Sequence, residues 1–105
     1  MVKIIWAPSA IKDIDGIAEY IAKDSFTAAK NMVELFFEKA KILEKYPQYG
    51  KPVPETKNAL VREILVSRYR IIYEVSAETS VNILTVHHQS RLLQNNPVFK
   101  KRLKK

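Results

Sequence analysis

Arg62, Arg68, Arg70, His87, His88 and Arg91 all fall within residues 61–91, VREILVSRYRIIYEVSAETSVNILTVHHQSR. Guanidinium and imidazole groups crowded together in this way suit chemistry at a phosphate. Cleavage of RNA by its own 2′-hydroxyl needs a proton acceptor, a proton donor for the leaving oxygen, and cations over the phosphorane. Lys51, Arg62, Arg70 and Arg91 are the candidate cations, and His87, His88 or Glu55 the candidate proton-transfer groups. The same residues also have a purely structural reading. Arg70 paired with Glu74 or Glu63 on a sheet surface would contribute at most about 1 kcal/mol, and a neutral imidazole at a strand end is readily satisfied by a backbone partner.

The elements that must position these groups are legible in the spacing of apolar residues. Residues 61–91 hold three short strands, marked by Val61, Ile64, Val66, Tyr69, Ile71, Tyr73, Val75, Val81, Ile83 and Val86. Ser67-Arg68 forms a tight hairpin turn and residues 76–80 a looser one. Side chains alternate along a strand, so Tyr69, Ile71, Tyr73 and Val75 share one face while Arg70, Ile72 and Glu74 share the other. The adjacent His87 and His88 must likewise point to opposite faces and cannot chelate one metal together.

Upstream, residues 2–6 read as a first strand, ended by Ala7-Pro8-Ser9. The apolar period then becomes helical at Ile11, Ile14, Ile17, Ala18 and Ile21. Asp24, Ser25 and Thr27 offer N-caps for a second helix carrying Ala29, Met32, Val33, Phe36, Ala40 and Leu43. Pro47 requires that helix to stop by Tyr46. The stretch from Pro47 to Asn58 has no period and reads as a rigid connector. The order β-αα-βββ predicts an α+β two-layer fold, with an antiparallel helical hairpin packed on a small, mainly antiparallel four-stranded sheet. The opposite sheet face is expected to stay open and to present Arg70.

A chain of 105 residues is the size of one domain, read here as a single domain over residues 1–96 and a basic segment over 97–105. The absence of cysteine excludes a disulfide framework and a thiolate zinc site, and two glycines cannot build a phosphate-cradling loop. No metal or cofactor is expected. The N-terminus lacks the apolar run of a signal peptide and no stretch is long enough to span a membrane, so a cytoplasmic protein is expected. Of the formal net charge of +7, five charges lie on Lys100, Lys101, Arg102, Lys104 and Lys105, leaving +2 for the rest. The basic excess is therefore largely a tail, either a solvated terminus or an arm for phosphate.

Tyr69-Arg70-Ile71-Ile72-Tyr73, followed by Val86-His87-His88-Gln89-Ser90-Arg91, resembles the signature of the RelE/ParE superfamily of bacterial toxins. Ile5-Trp6-Ala7-Pro8-Ser9-Ala10, Asp13, Tyr20-Ile21-Ala22 and the run from Pro47 to Glu55 extend the likeness over residues 4–91. It implies the toxin of a type II toxin-antitoxin system, of the kind also described as plasmid stabilisation proteins. Its partners would be a cognate antitoxin, forming a hetero-oligomer, and either DNA gyrase or the ribosome with its mRNA.

Within the superfamily the long helical hairpin and the His-Gln-Ser sequence are similar to ParE proteins, which poison gyrase without an active site of their own. On that reading Arg62, Arg68, Arg91, Lys100, Lys101 and Arg102 are target contacts. The alternative is a RelE-like, ribosome-dependent mRNA interferase, in which Arg70, His88, His87, Lys51 and Glu55 would be catalytic. A non-toxic basic module binding nucleic acid is the third possibility, and it would show steep salt dependence.

Overall fold

The computed structural model describes residues 1–76 and 79–100. Strand β1 (Lys3–Trp6) leads into helices α1 (Pro8–Ala22) and α2 (Phe26–Ala40), the latter tightening into a 3₁₀ turn at Lys41–Glu44. Four further strands follow: β2 (Lys51–Pro52), β3 (Val61–Val66), β4 (Tyr69–Ser76) and β5 (Ser80–His88), with a second 3₁₀ turn at Leu93–Asn95. The sheet order is β1-β5-β4-β3-β2. β1 runs parallel to β5 and the other pairs are antiparallel.

The expected α+β architecture is thus present, with one strand more than the four anticipated. The fifth is β2, two residues inside the stretch read as a connector. A proline is compatible with it because β2 is an edge strand, where a missing N–H leaves no ladder bond unmade.

Local chemistry sets the helix boundaries. Pro8 occupies the first turn of α1, where its missing donor costs nothing. Ser25 caps α2 by accepting a hydrogen bond from the Ala28 amide at 3.0 Å. Both helices lie on one sheet face, where Ala10, Ile14, Phe36, Ala40 and Leu43 pack against Ile64, Val66, Ile71, Tyr73, Val81, Ile83 and Val86. Phe36 is fully buried, contributing about 1.5–3 kcal/mol. The stripe on α1 is rotated slightly from the expected one: Ala10 is buried while Ile11 is exposed, since the small alanine lets the helix approach the sheet.

One irregularity in β5 sets the placement of the side chains that follow it. Ile72 faces Thr85 but Tyr73 faces Ile83, so Leu84 has no partner across β4 and forms a β-bulge. The extra residue inverts the alternation. Val81 and Ile83 point to the helices before the bulge, and Val86 and His88 after it. His87 is consequently thrown onto the far face, opposite Arg70. Beyond the bulge β1 has ended, and α1 replaces it along the exposed strand edge. The Ser9 hydroxyl donates to the Leu84 carbonyl at 2.6 Å. Asp13, one turn further along α1, accepts from the Val86 amide at 3.0 Å and from the Thr85 hydroxyl.

The far face is not open along its length, contrary to expectation. Val53, Val61, Ile72, Leu93 and Phe99 form a second apolar cluster there, joined by Leu84 and Val98. The segment after β5 folds back across the sheet, covering Ile72 and leaving Leu65 52% exposed further along. No helix among the described residues is long and apolar enough to cross a membrane.

Candidate functional site

Strand pairing assigns each predicted side chain to a face. Lys51 lies opposite Glu63, and Arg70 opposite both Leu65 and His87, so Lys51, Glu63, Arg70 and His87 all belong to the far face. Arg62 lies opposite Tyr73 on the helix side. Its Nη1 donates to the Gly50 carbonyl at 2.7 Å, while the Gly50 amide donates to the Tyr73 hydroxyl at 2.8 Å. Arg62 therefore clamps a loop, away from Arg70. Burial pushes the Tyr73 phenol above its ordinary range, an effect that the Gly50 hydrogen bond and the Arg62 charge oppose.

Arg70 is the centre of the far-face group, and its environment differs from the exposed cation expected. It is 8% exposed and held by two carboxylates. Nε donates to Glu63 at 2.5 Å, and the Nη1 and Nη2 pair donates to the two oxygens of Glu55 at 2.9 and 2.8 Å. The forked geometry is the strong, bidentate kind. It raises the guanidinium above even an arginine's ordinary range, Glu55 having the largest effect. Reciprocally, hydrogen bonding to Arg70 holds the Glu55 carboxyl below its usual range, against the opposing effect of burial. Of the two structural partners considered from sequence, Glu63 is the one used. Glu55 comes from a turn-rich loop with no strand or helix to announce its reach.

His87 is 7% exposed and both its ring nitrogens are engaged. The Asn96 carboxamide is oriented by the Val98 amide, which donates to Oδ1 at 2.9 Å. Its Nδ2 therefore donates, to Thr85 Oγ1 and to His87 Nδ1, each at 3.0 Å. Nδ1 being an acceptor, the proton sits on Nε2 and is donated to the Arg91 carbonyl at 2.9 Å. Two directed chains thus leave the Asn96 amide, one through His87 to the Arg91 carbonyl and one through Thr85 to Asp13 on α1. Thr85 is not legible in the sequence, because its fully buried hydroxyl gives no pattern signal inside a β-branched run.

His88 stands on the other face, its ring edge-on to Tyr69 at 5.2 Å. Its Nδ1 lies 2.7 Å from the Ser90 hydroxyl and accepts from the Ser90 amide at 3.1 Å. It lines a groove of about 1260 Å³ between α1 and the segment after β5, with Lys12, Tyr20, Tyr69, Arg91 and Pro97 among its walls. Arg68, at the hairpin turn beside Ser67 (φ 56°), Arg91 and Lys100 are exposed. Lys101 and Arg102 lie outside the described residues. Lys51, Glu55, Arg70 and His87 are thus brought to one face, whereas His88, Arg62 and Arg68 are not part of that group. No group of three or more metal-ligating side chains occurs among the described residues.

Residues 4–93 match the family described as the ParE toxin of the type II toxin-antitoxin system, parDE. The chain belongs to the ParE toxin family. Toxin RelE2 of Caulobacter vibrioides is 33% identical to it over 92 residues, 88% of this chain and 100% of that protein. In fold this ParE family member is similar to a chain of the chromosomal ParDE system from P. aeruginosa, with a TM-score of 0.70 and 21% identity over 84% of this chain and 96% of that one. The bulge, the two helices and the Arg70 strand are therefore read as features of a type II toxin.

Proposed function

We propose that this ParE-family protein inhibits growth by binding DNA gyrase, without catalysing a reaction of its own, and that a cognate antitoxin neutralises it in a hetero-oligomeric complex. The observation that carries this reading is the state of Arg70. An mRNA interferase needs a free cation and an available proton-transfer group at one place. Here the guanidinium is occupied by Glu63 and Glu55, and both nitrogens of the neighbouring His87 are committed to Asn96 and the Arg91 carbonyl. A residue so engaged holds the far face together. Target contacts then fall to the exposed cations Arg68, Arg91 and Lys100 and to the helical hairpin, where Tyr20 and Phe26 are 71% and 77% exposed. Action would take place in the bacterial cytoplasm, where gyrase works.

The convergence of Glu55, Arg70 and His87 on one face favours the interferase as a second reading, since those are the groups RNA cleavage would use once freed. Controlled expression in growing bacteria distinguishes the two. The expected result is accumulation of gyrase-linked DNA breaks and induction of the DNA-damage response while transcripts remain intact. Ribosome-dependent cleavage of transcripts without DNA breaks would establish the interferase instead, and normal growth would overturn both.

A further inference from the structure

Arg70 has one more carboxylate than it needs. Glu63 alone neutralises it, and at 4% exposure on the neighbouring strand Glu63 has nowhere else to go. The Glu55 side chain is 38% exposed and sits on a loop. It occupies the outward half of the guanidinium fork, the Nη1 and Nη2 pair, leaving the Nε contact to Glu63 undisturbed. With both acids ionised the trio carries a surplus negative charge. The group that supplies it is also the one that can swing away, and Leu65, across the strand pair from Arg70, offers an exposed apolar surface next to the fork.

We propose that the outward fork of Arg70 is a carboxylate-binding site closed by the chain's own Glu55, and that an acidic segment of a partner polypeptide opens it by taking Glu55's place. This deepens the reading above and rests on it, because it names the chemistry by which a neutralising partner grips the far face. A carboxylate is favoured over a phosphate on two grounds. The occupant already seated there is a carboxylate in bidentate geometry, and a second negative charge of the kind a phosphate brings would be opposed by the buried Glu63. Glu55 acts as an intramolecular competitor, so the affinity of an incoming group is lowered by the fraction of time the fork is closed. Removing the Glu55 charge lifts that penalty.

The test uses the full-length protein and its Glu55→Gln variant, labelled with ¹⁵N, titrated separately with hexaglutamate and with inorganic phosphate while the Arg70 side-chain signals are followed. In Glu55→Gln, hexaglutamate should move the Nη signals at a concentration at least tenfold lower than in the unsubstituted protein, with the Nε signal held in place by Glu63. Equal responses in the two proteins, or none in either, would overturn the masking. A response to phosphate matching that to hexaglutamate would overturn the carboxylate assignment. Glu55 lies on the surface, so backbone spectra of the two proteins should coincide away from residues 53–60. Because the readout is binding by purified protein, its failure leaves the growth experiment and the gyrase reading untouched.

Discussion

Replacing Arg70 with methionine keeps an unbranched apolar stem and removes the charge, leaving Glu63, a carboxylate 4% exposed, without the guanidinium that holds it. Breaking one side of a buried ion pair costs about 3–5 kcal/mol, because the remaining charge keeps its desolvation penalty. A domain of this kind has a total stability of about 5–15 kcal/mol, so the variant should sit near the edge of folding, with a melting temperature lowered by roughly 15–25 °C. Urea denaturation at pH 7 measures the loss directly. Arg70→Met combined with Glu63→Leu should recover most of the stability, two apolar groups being at least as well accommodated as the pair. The coupling is read from the double-mutant cycle. If Arg70→Met loses less than about 1 kcal/mol yet abolishes toxicity, Arg70 is a working residue and the structural argument fails.

Other positions give independent checks. Gly50→Ala places a methyl carbon 2.5 Å from the Glu63 carbonyl oxygen and 2.6 Å from the Tyr73 hydroxyl. Since backbone cannot yield cheaply, it should cost about 1–3 kcal/mol in thermal or chemical denaturation. Asp13→Ala removes the acceptor for the Val86 amide and the Thr85 hydroxyl, and should cost about 1–3 kcal/mol with faster hydrogen exchange at the Val86 amide. The Glu55 carboxyl is lowered in the folded state by Arg70. Its contribution is therefore present above the unfolded value near 4.5 and is lost as pH falls through the lower folded value, and Glu55→Gln should flatten the stability curve in that acidic window. Nitrogen shifts of His87 should show the neutral ring protonated at Nε2. A proton on Nδ1 would break the chain read through Asn96.

Much of the fold follows from short-range pattern. The helical period of Ile14, Ile17, Phe36 and Ala40, the cap at Ser25 and the turn at Ser67-Arg68 each depend on residues a few positions apart, and each matches the structure. The row Tyr69-Arg70-Ile71-Ile72-Tyr73 likewise places Arg70 and Tyr73 on opposite faces by alternation alone, and the ordered motifs point to the toxin superfamily before any coordinates.

Tertiary structure decided what those faces contain. A single unpaired residue, Leu84, inverts the alternation of β5 and puts His87 rather than His88 beside Arg70. Nothing in the local run of β-branched residues marks where the extra residue falls, because a bulge is chosen by how the strand edge meets α1. The second cover, made by Leu93 and Phe99, and the reach of Glu55 across to Arg70 come from segments without a period, whose positions are settled by which apolar surface and which charge they can bury. Residue types and alternation along the chain place the guanidinium on the far face. Contacts between distant segments determine that it meets two carboxylates there and not solvent, since the desolvation of a buried charge must be met by whatever partner the fold brings within reach.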